Sequence, residues 1–119
     1  MRGQRLFIRP IDPADHDLVR AFLRRAEVPA YGLLAKLVGE LVAVIAIDIT
    51  PDAVRIEDIV VASDLRRKRI GRALIGEVAQ LAAKMDRARL VVTDACEADE
   101  FFRRVGFRNE EGVWTNSVS

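Results

Sequence analysis

The sequence predicts an α+β layer structure in which an antiparallel hairpin and a parallel strand-helix-strand crossover belong to one sheet. Three observations predict it. Two apolar runs, Leu33 to Val38 and Leu41 to Ile49, flank Gly39-Glu40, as two strands flank a tight turn. Ile70, Leu74, Val78, Leu81 and Met85 recur at three- and four-residue intervals, the pattern of a long amphipathic helix. That helix lies between two strand-like runs, Val54 to Val61 and Arg89 to Thr93, and such an order implies a right-handed crossover between parallel neighbours.

Composition bounds the function. A chain of 119 residues fits a single domain, expected here to run over 1–119. Half of it is hydrophobic and 31% is charged, which is globular rather than disordered. Nineteen basic against eighteen acidic residues leave a net charge of +1, so no global field argues for nucleic acid or membrane as a partner. Cys96 is the only cysteine and cannot form an internal disulfide. The longest apolar run, Leu41 to Ile47, is far shorter than the roughly 20 residues that span a bilayer, and Met1 to Arg9 lacks the apolar stretch of a secretory signal. A cytoplasmic protein is expected.

Element by element, Leu6-Phe7-Ile8 suits a first strand. Asp12-Pro13-Ala14-Asp15 reads as a helix start, with an acidic N-cap, proline at the first helical position and a second acid in the first turn. Leu18, Val19, Phe22, Leu23 and Ala26 continue it, and Pro29 ends it. The hairpin follows, its glycine-first loop suggesting a type II′ turn at Gly39-Glu40; the strand from Leu41, apolar on both faces, is expected to be central. After the crossover, Asp94-Ala95-Cys96-Glu97 resembles a capping box for a helix over 95–105, and Gly106-Phe107 its C-terminal stop. Gly112-Val113-Trp114 is expected as a last edge strand.

The most informative stretch runs from Val60 to Leu74. A buried strand leads into a basic loop, and the loop enters the helix whose first turn contains Gly71. Helix starts present unpaired N–H groups and the positive end of the dipole, so they bind phosphate. Five of the seven residues from Arg66 to Arg72 are basic. That is a compact polyanion site.

This stretch resembles the acetyl-coenzyme A binding motif of the GNAT superfamily of N-acetyltransferases, Arg/Gln-x-x-Gly-x-Gly/Ala. Arg66 takes the first position, Gly71 the second glycine, and Arg69 stands where the first glycine is expected. If that position is left-handed, arginine costs about 1–2 kcal/mol relative to glycine. Ala98-Asp99-Glu100-Phe101-Phe102-Arg103-Arg104-Val105-Gly106-Phe107 is similar to the family's late motif, Ala-x-x-Phe-Tyr-x-x-x-Gly-Phe. Arg5 to Pro10, the hairpin and Arg55 to Val61 follow in the family's order. The resemblance implies a GNAT-like mixed central sheet, mostly antiparallel, with a parallel β-α-β pair at the cofactor site and helices on both faces.

It also implies an acetyl-CoA-dependent transfer to a primary amine of a small molecule or peptide, with acetyl-CoA or CoA as cofactor and no metal. Ile59, Val60 and Val61 would hold the pantetheine. The N–H groups over Arg66, Arg67, Lys68, Arg69, Ile70, Gly71, Arg72 and Ala73 would hold the pyrophosphate, with Lys68, Arg69 or Arg72 reaching the 3′-phosphate. Glu57 and Asp58 are the candidate bases. Strict strand alternation would let only one of them face the reaction, and Glu57 is favoured because related members carry a glutamate in a similar Leu-Glu-Asp-Leu setting. Either could instead simply pair with Arg55. Where many relatives have a tyrosine acid this chain has Phe102, expected among the cofactor-binding residues but with no proton to give, and Cys96 is a candidate substitute. A catalytically silent CoA-binding domain is the alternative, and a nucleic-acid module the less supported one. The acceptor site is expected to be open, and an edge strand over Gly112 to Val118 could pair across a homodimer.

Overall fold

In a computed structural model, which describes residues 6–62, 69–92 and 99–118, one sheet contains strands β1 (Leu6–Pro10), β2 (Tyr31–Leu37), β3 (Glu40–Ile49), β4 (Ala53–Val61), β5 (Arg89–Val92), β6 (Arg108–Glu110) and β7 (Val113–Ser117). Their order is β1-β2-β3-β4-β5-β7-β6. Every neighbouring pair is antiparallel except β4 and β5, which are parallel and joined by helix α2 (Ile70–Lys84). Helix α1 (His16–Leu23) precedes β2, and helix α3 (Asp99–Arg104) follows β5.

Alternation along the strands builds two unequal cores. Leu33 and Ala35 of β2, Ile45 and Ile47 of β3, Val54 and Ile56 of β4, and Leu90 and Val92 of β5 face α2, which answers with Ile70, Leu74, Ile75, Val78 and Ala82. Phe102, Phe107 and Trp114 close this core. On the other face Leu34 and Val44 pack under Val19 of α1. The strand from Glu40 is therefore central and apolar on both sides, and each fully buried aliphatic chain such as Ile45 or Leu74 contributes about 1.5–3 kcal/mol.

Local chemistry explains the ends of the helices. Pro13–Asp15 forms a 3-10 turn before α1: the Asp12 carboxylate accepts from the Ala14 N–H at 2.9 Å, and the Asp12 N–H donates to Asp15 at 2.9 Å. At the end of α3, Gly106 adopts φ 103°, the Phe107 N–H donates to the Phe102 carbonyl at 2.9 Å, and the Gly106 N–H to the Arg103 carbonyl at 3.2 Å. This is the two-bond glycine stop anticipated at Gly106-Phe107.

Two expectations are corrected. The hairpin loop is Val38-Gly39, not Gly39-Glu40: Leu37 pairs with Glu40, and both loop residues have positive φ, 52° and 80°. A turn with two left-handed residues matches the right-handed twist of its strands, and this register outweighs the steric cost of placing valine there. The C-terminal strand is also not an edge. β7 lies between β5 and β6, because the chain returns through Arg108–Glu110 before entering it, and β6 pairs with it over Val113 to Thr115. β6 thus stands where the expected homodimer pairing of this strand would form over Val113 to Thr115.

Candidate active site

Among the described residues the parallel pairing of β4 with β5 is short. It links Ala53 with Arg89, Val54 with Leu90 and Arg55 with Val91, although β4 runs on to Val61. Among the described residues no strand pairs with β4 on that side over Ile56 to Val60, and the first turn of α2 lies beside this stretch, where a Cβ on Gly71 would come within 3.8 Å of Ile59. Ile59 and Val61 are partly buried against the α2-side core, and Val60 is half-buried.

Strand β4 is also bulged. Ala46 pairs with Asp58 and Ile47 with Ile56, which leaves Glu57 as the extra residue. Ile56 and Ile59 both pack toward α2, so the bulge turns Glu57 and Asp58 together to the α1 side. Their partners agree. Arg55 reaches Glu57 at 3.4 Å and Asp48 at 2.9 Å, and Arg25, just beyond α1, reaches Asp58 at 2.5 Å. The expectation that alternation would separate the two carboxylates fails at this one inserted residue. The Glu57 side chain is 48% exposed, so these pairs are solvent-screened and contribute about 0–1 kcal/mol each.

The start of α2 is built around two unusual positions. Arg69, its N-cap, is left-handed at φ 63° and makes no side-chain cap. A helix leaves its first N–H groups without intrahelical partners; here the series ends before Ala73, whose N–H donates to the Arg69 carbonyl at 3.1 Å. Ile70, Gly71 and Arg72 thus supply the outward donors. Gly71 is buried, and a Cβ built on it would meet Phe101 ring atoms at 3.0 Å and Ile59 at 3.8 Å. Its missing side chain makes room for an aromatic ring of α3, a role that sequence reasoning did not assign.

Phe102, in the position of the tyrosine acid, is 2% exposed and packs edge-to-face against Phe101 and Phe107, with centroids 5.1 and 5.3 Å away. It is a core residue here, while Phe101 lies over α2. Tyr31, the only tyrosine, is 59% exposed at the start of β2. Arg66, Arg67, Lys68 and Cys96 lie outside the described residues. Among the described residues no cluster of three or more His, Cys, Asp or Glu could hold a metal ion, and no helix is long and apolar enough to cross a membrane. Arg25 was not anticipated, because nothing local in the sequence connects it to a residue 33 positions away.

A family model described as the acetyltransferase (GNAT) family matches residues 4–107. The chain belongs to that family. Solved GNAT structures share its fold. A protein assigned to the GNAT acetyltransferases of Desulfovibrio desulfuricans is 16% identical and superposes with a TM-score of 0.80 over 97% of this chain and all of its own. YhbS of Escherichia coli, a GNAT family N-acetyltransferase solved in complex with CoA, is 18% identical, with a TM-score of 0.76 over 100% of this chain and 84% of its own. The ribosomal-protein-S18-alanine N-acetyltransferase of E. coli is 15% identical, with a TM-score of 0.71 over 97% and 95%. At such identities the likeness is one of fold. No curated protein sequence matches the chain significantly. The GNAT resemblance carried by 66–72 and 98–107 holds, and so does the mixed, mostly antiparallel sheet with its parallel pair.

Proposed function

We propose that this GNAT protein transfers the acetyl group of acetyl-CoA to a primary amine of a small molecule or peptide, in a cytoplasmic setting. The observation that carries the reading is the stretch of β4 that runs from the bulge at Glu57 to Ile59, beside Gly71 in the N-terminal turn of α2. An extended thioester-bearing arm with a phosphate end fits such a path, because strand backbone can bond the arm and helix N–H groups attract phosphate. When bound, acetyl-CoA supplies the activated acetyl thioester.

The chain's own groups divide the remaining work. Backbone of Ile59, Val60 and Val61 orients the arm, and the N–H groups of Ile70, Gly71 and Arg72 hold the pyrophosphate, with Arg69 and Arg72 adding charge. Arg66, Arg67 and Lys68 belong to the same proposed site. Glu57 accepts the proton that the acceptor ammonium must lose before its nitrogen attacks the carbonyl carbon; a C–N bond forms and the C–S bond breaks. Asp58, on the same face, is the second carboxylate within reach of an incoming cation. With phenylalanine at 102, the thiolate leaves without a proton from that position, and Cys96 is the substitute donor in the proposal.

A second reading, cofactor binding without transfer, rests on the buried ring of Phe102. Thiol release from acetyl-CoA in the presence of polyamines, aminoglycosides and N-terminal peptides separates the two. Amine-dependent release is expected, and Glu57→Gln should slow it by about 10²-fold or more while leaving CoA binding intact. Binding without release for any amine would favour the silent binder; no binding would sink both.

A further inference from the structure

The turn that ends α1 presents Arg25 to the bulge of β4. The helix stops at Arg24, whose φ of 57° is a conformation arginine adopts at a steric cost. The Arg24 and Arg25 N–H groups both donate to the Arg20 carbonyl, at 2.8 and 3.3 Å, and the Arg20 side chain donates to the Ala26 carbonyl at 3.0 Å. The backbone on both sides of Arg25 is thereby tied down, and its side chain crosses to Asp58, next to Glu57 on β4.

The guanidinium is only partly used there. Arg9 grips both oxygens of Asp15 with two nitrogens, whereas Arg25 gives Nη2 to one oxygen of Asp58, and its Nε and Nη1 make no hydrogen bond among the described residues. The two side chains are 51% and 41% exposed, so water reaches the pair and it holds the fold only weakly. The neighbouring cation, Arg55, is shared between Asp48 and Glu57. Arg25 therefore offers open donors beside carboxylates that face the same side.

A zwitterion complements that pattern. An α-amino acid is one residue long, the scale of the roughly 3.8 Å step between consecutive Cα atoms, so it can meet a carboxylate and the guanidinium together. A polyamine would find the carboxylates but be repelled by Arg25 and Arg55, and a peptide N-terminus would leave the open donors of Arg25 unused.

We propose that Arg25 determines acceptor specificity and that the acceptor is a free α-amino acid, its carboxylate on the open fork of Arg25 and its ammonium at Glu57. The inference rests on the acetyl-transfer reading and narrows it. One ammonium proton goes to Glu57, the C–N bond forms as the C–S bond breaks, and the second proton, lost as the amide forms, ends on the CoA thiolate. The product is an N-acetylamino acid with its carboxylate intact.

The test follows thiol release from acetyl-CoA with the common L-amino acids, each beside its α-carboxamide, and with spermidine. For the best acceptor kcat/KM should exceed that of its amide by about tenfold or more, the scale of a charge-assisted hydrogen bond. Arg25→Gln should bring acid and amide to parity by raising KM for the acid, and Arg25→Lys should restore part of the preference. Asp58→Asn breaks the same ion pair but leaves the guanidinium in place, so it should keep the preference. Loss of the preference in Asp58→Asn as in Arg25→Gln would mean that the pair merely holds the turn, and it overturns the proposal. So does a wild type that takes amides or spermidine as readily as amino acids. If CoA binds but no amine is acetylated, the transfer reading fails, and calorimetry on the CoA complex decides the inference: binding of an amino acid but not its amide, lost in Arg25→Gln, upholds the Arg25 site, and no binding overturns it. If CoA does not bind, the same titration of the free protein decides it in the same way.

Discussion

The ring of Phe101 lies 3.0 Å from where a side chain on Gly71 would begin. Helix α3 can approach the first turn of α2 only because residue 71 has no Cβ, and Phe101 is held in place by its edge contact with Phe102 at 5.1 Å. Gly71→Val should therefore push the ring aside and strain both helices. A loss of about 2 kcal/mol is expected, the middle of the range for overpacking, together with loss of CoA binding. Urea denaturation and a CoA thermal shift check the two parts separately.

Arg69 holds the left-handed conformation, φ 63°, in the place where the GNAT motif carries glycine. Arg69→Gly removes that steric cost of about 1–2 kcal/mol but adds freedom to the unfolded chain, so the net gain should be about 0.5–1 kcal/mol. An Arg69→Gly variant no more stable than the wild type in urea would show that the conformation is not strained. The lost charge should weaken CoA binding at low salt more than at high salt.

Val38 is left-handed at φ 52° in the hairpin loop and 70% exposed, so almost no packing compensates for its strain. Val38→Asn supplies the Asn-Gly pair that such turns favour and should stabilise the fold by about 1 kcal/mol. The same denaturation series measures it, and a destabilised variant would contradict the turn geometry.

Asp15 is the one buried acidic side chain in the described chain. Arg9 donates to both of its oxygens, at 2.7 and 2.8 Å, and the Asp12 N–H adds a third bond. The Arg9 hydrogen bonds, followed by that from Asp12, hold its carboxyl well below the usual carboxylate range, against the opposing effect of burial. A carboxyl depressed in the folded state stabilises fully above its unfolded pKa, about 3.9, and loses that contribution as pH falls toward the folded value. Asp15→Asn should thus melt below the wild type at pH 7, and the difference should narrow below about pH 4. A difference independent of pH would rule out the charge as its origin.

Much of the fold was legible in order. Helix α2 and the paired strands β2, β3 and β4 carry periodicities strong enough to survive any packing, and the glycine stop at Gly106 is a local hydrogen-bond device. The candidate site was legible only in part. The basic approach to Gly71 points to the proposed phosphate end, because helix N-termini attract anions. The relation between Glu57 and Asp58 was misread, since alternation assumes an unbroken register and β4 contains one extra residue opposite Ala46 and Ile47. Strand β6, Arg108–Glu110, is exposed throughout and has no hydrophobic pattern to announce it.

From its residues alone this chain declares a GNAT acetyltransferase fold and the basic helix start proposed to meet phosphate, since both depend on spacing within short segments. Tertiary structure decided the rest: that a bulge turns two carboxylates to one face, that Gly71 accommodates Phe101, and that Arg25 meets Asp58. Each of these is a meeting of residues distant in sequence or a break in register. Such meetings follow from which surfaces bury one another, and local periodicity does not encode that choice.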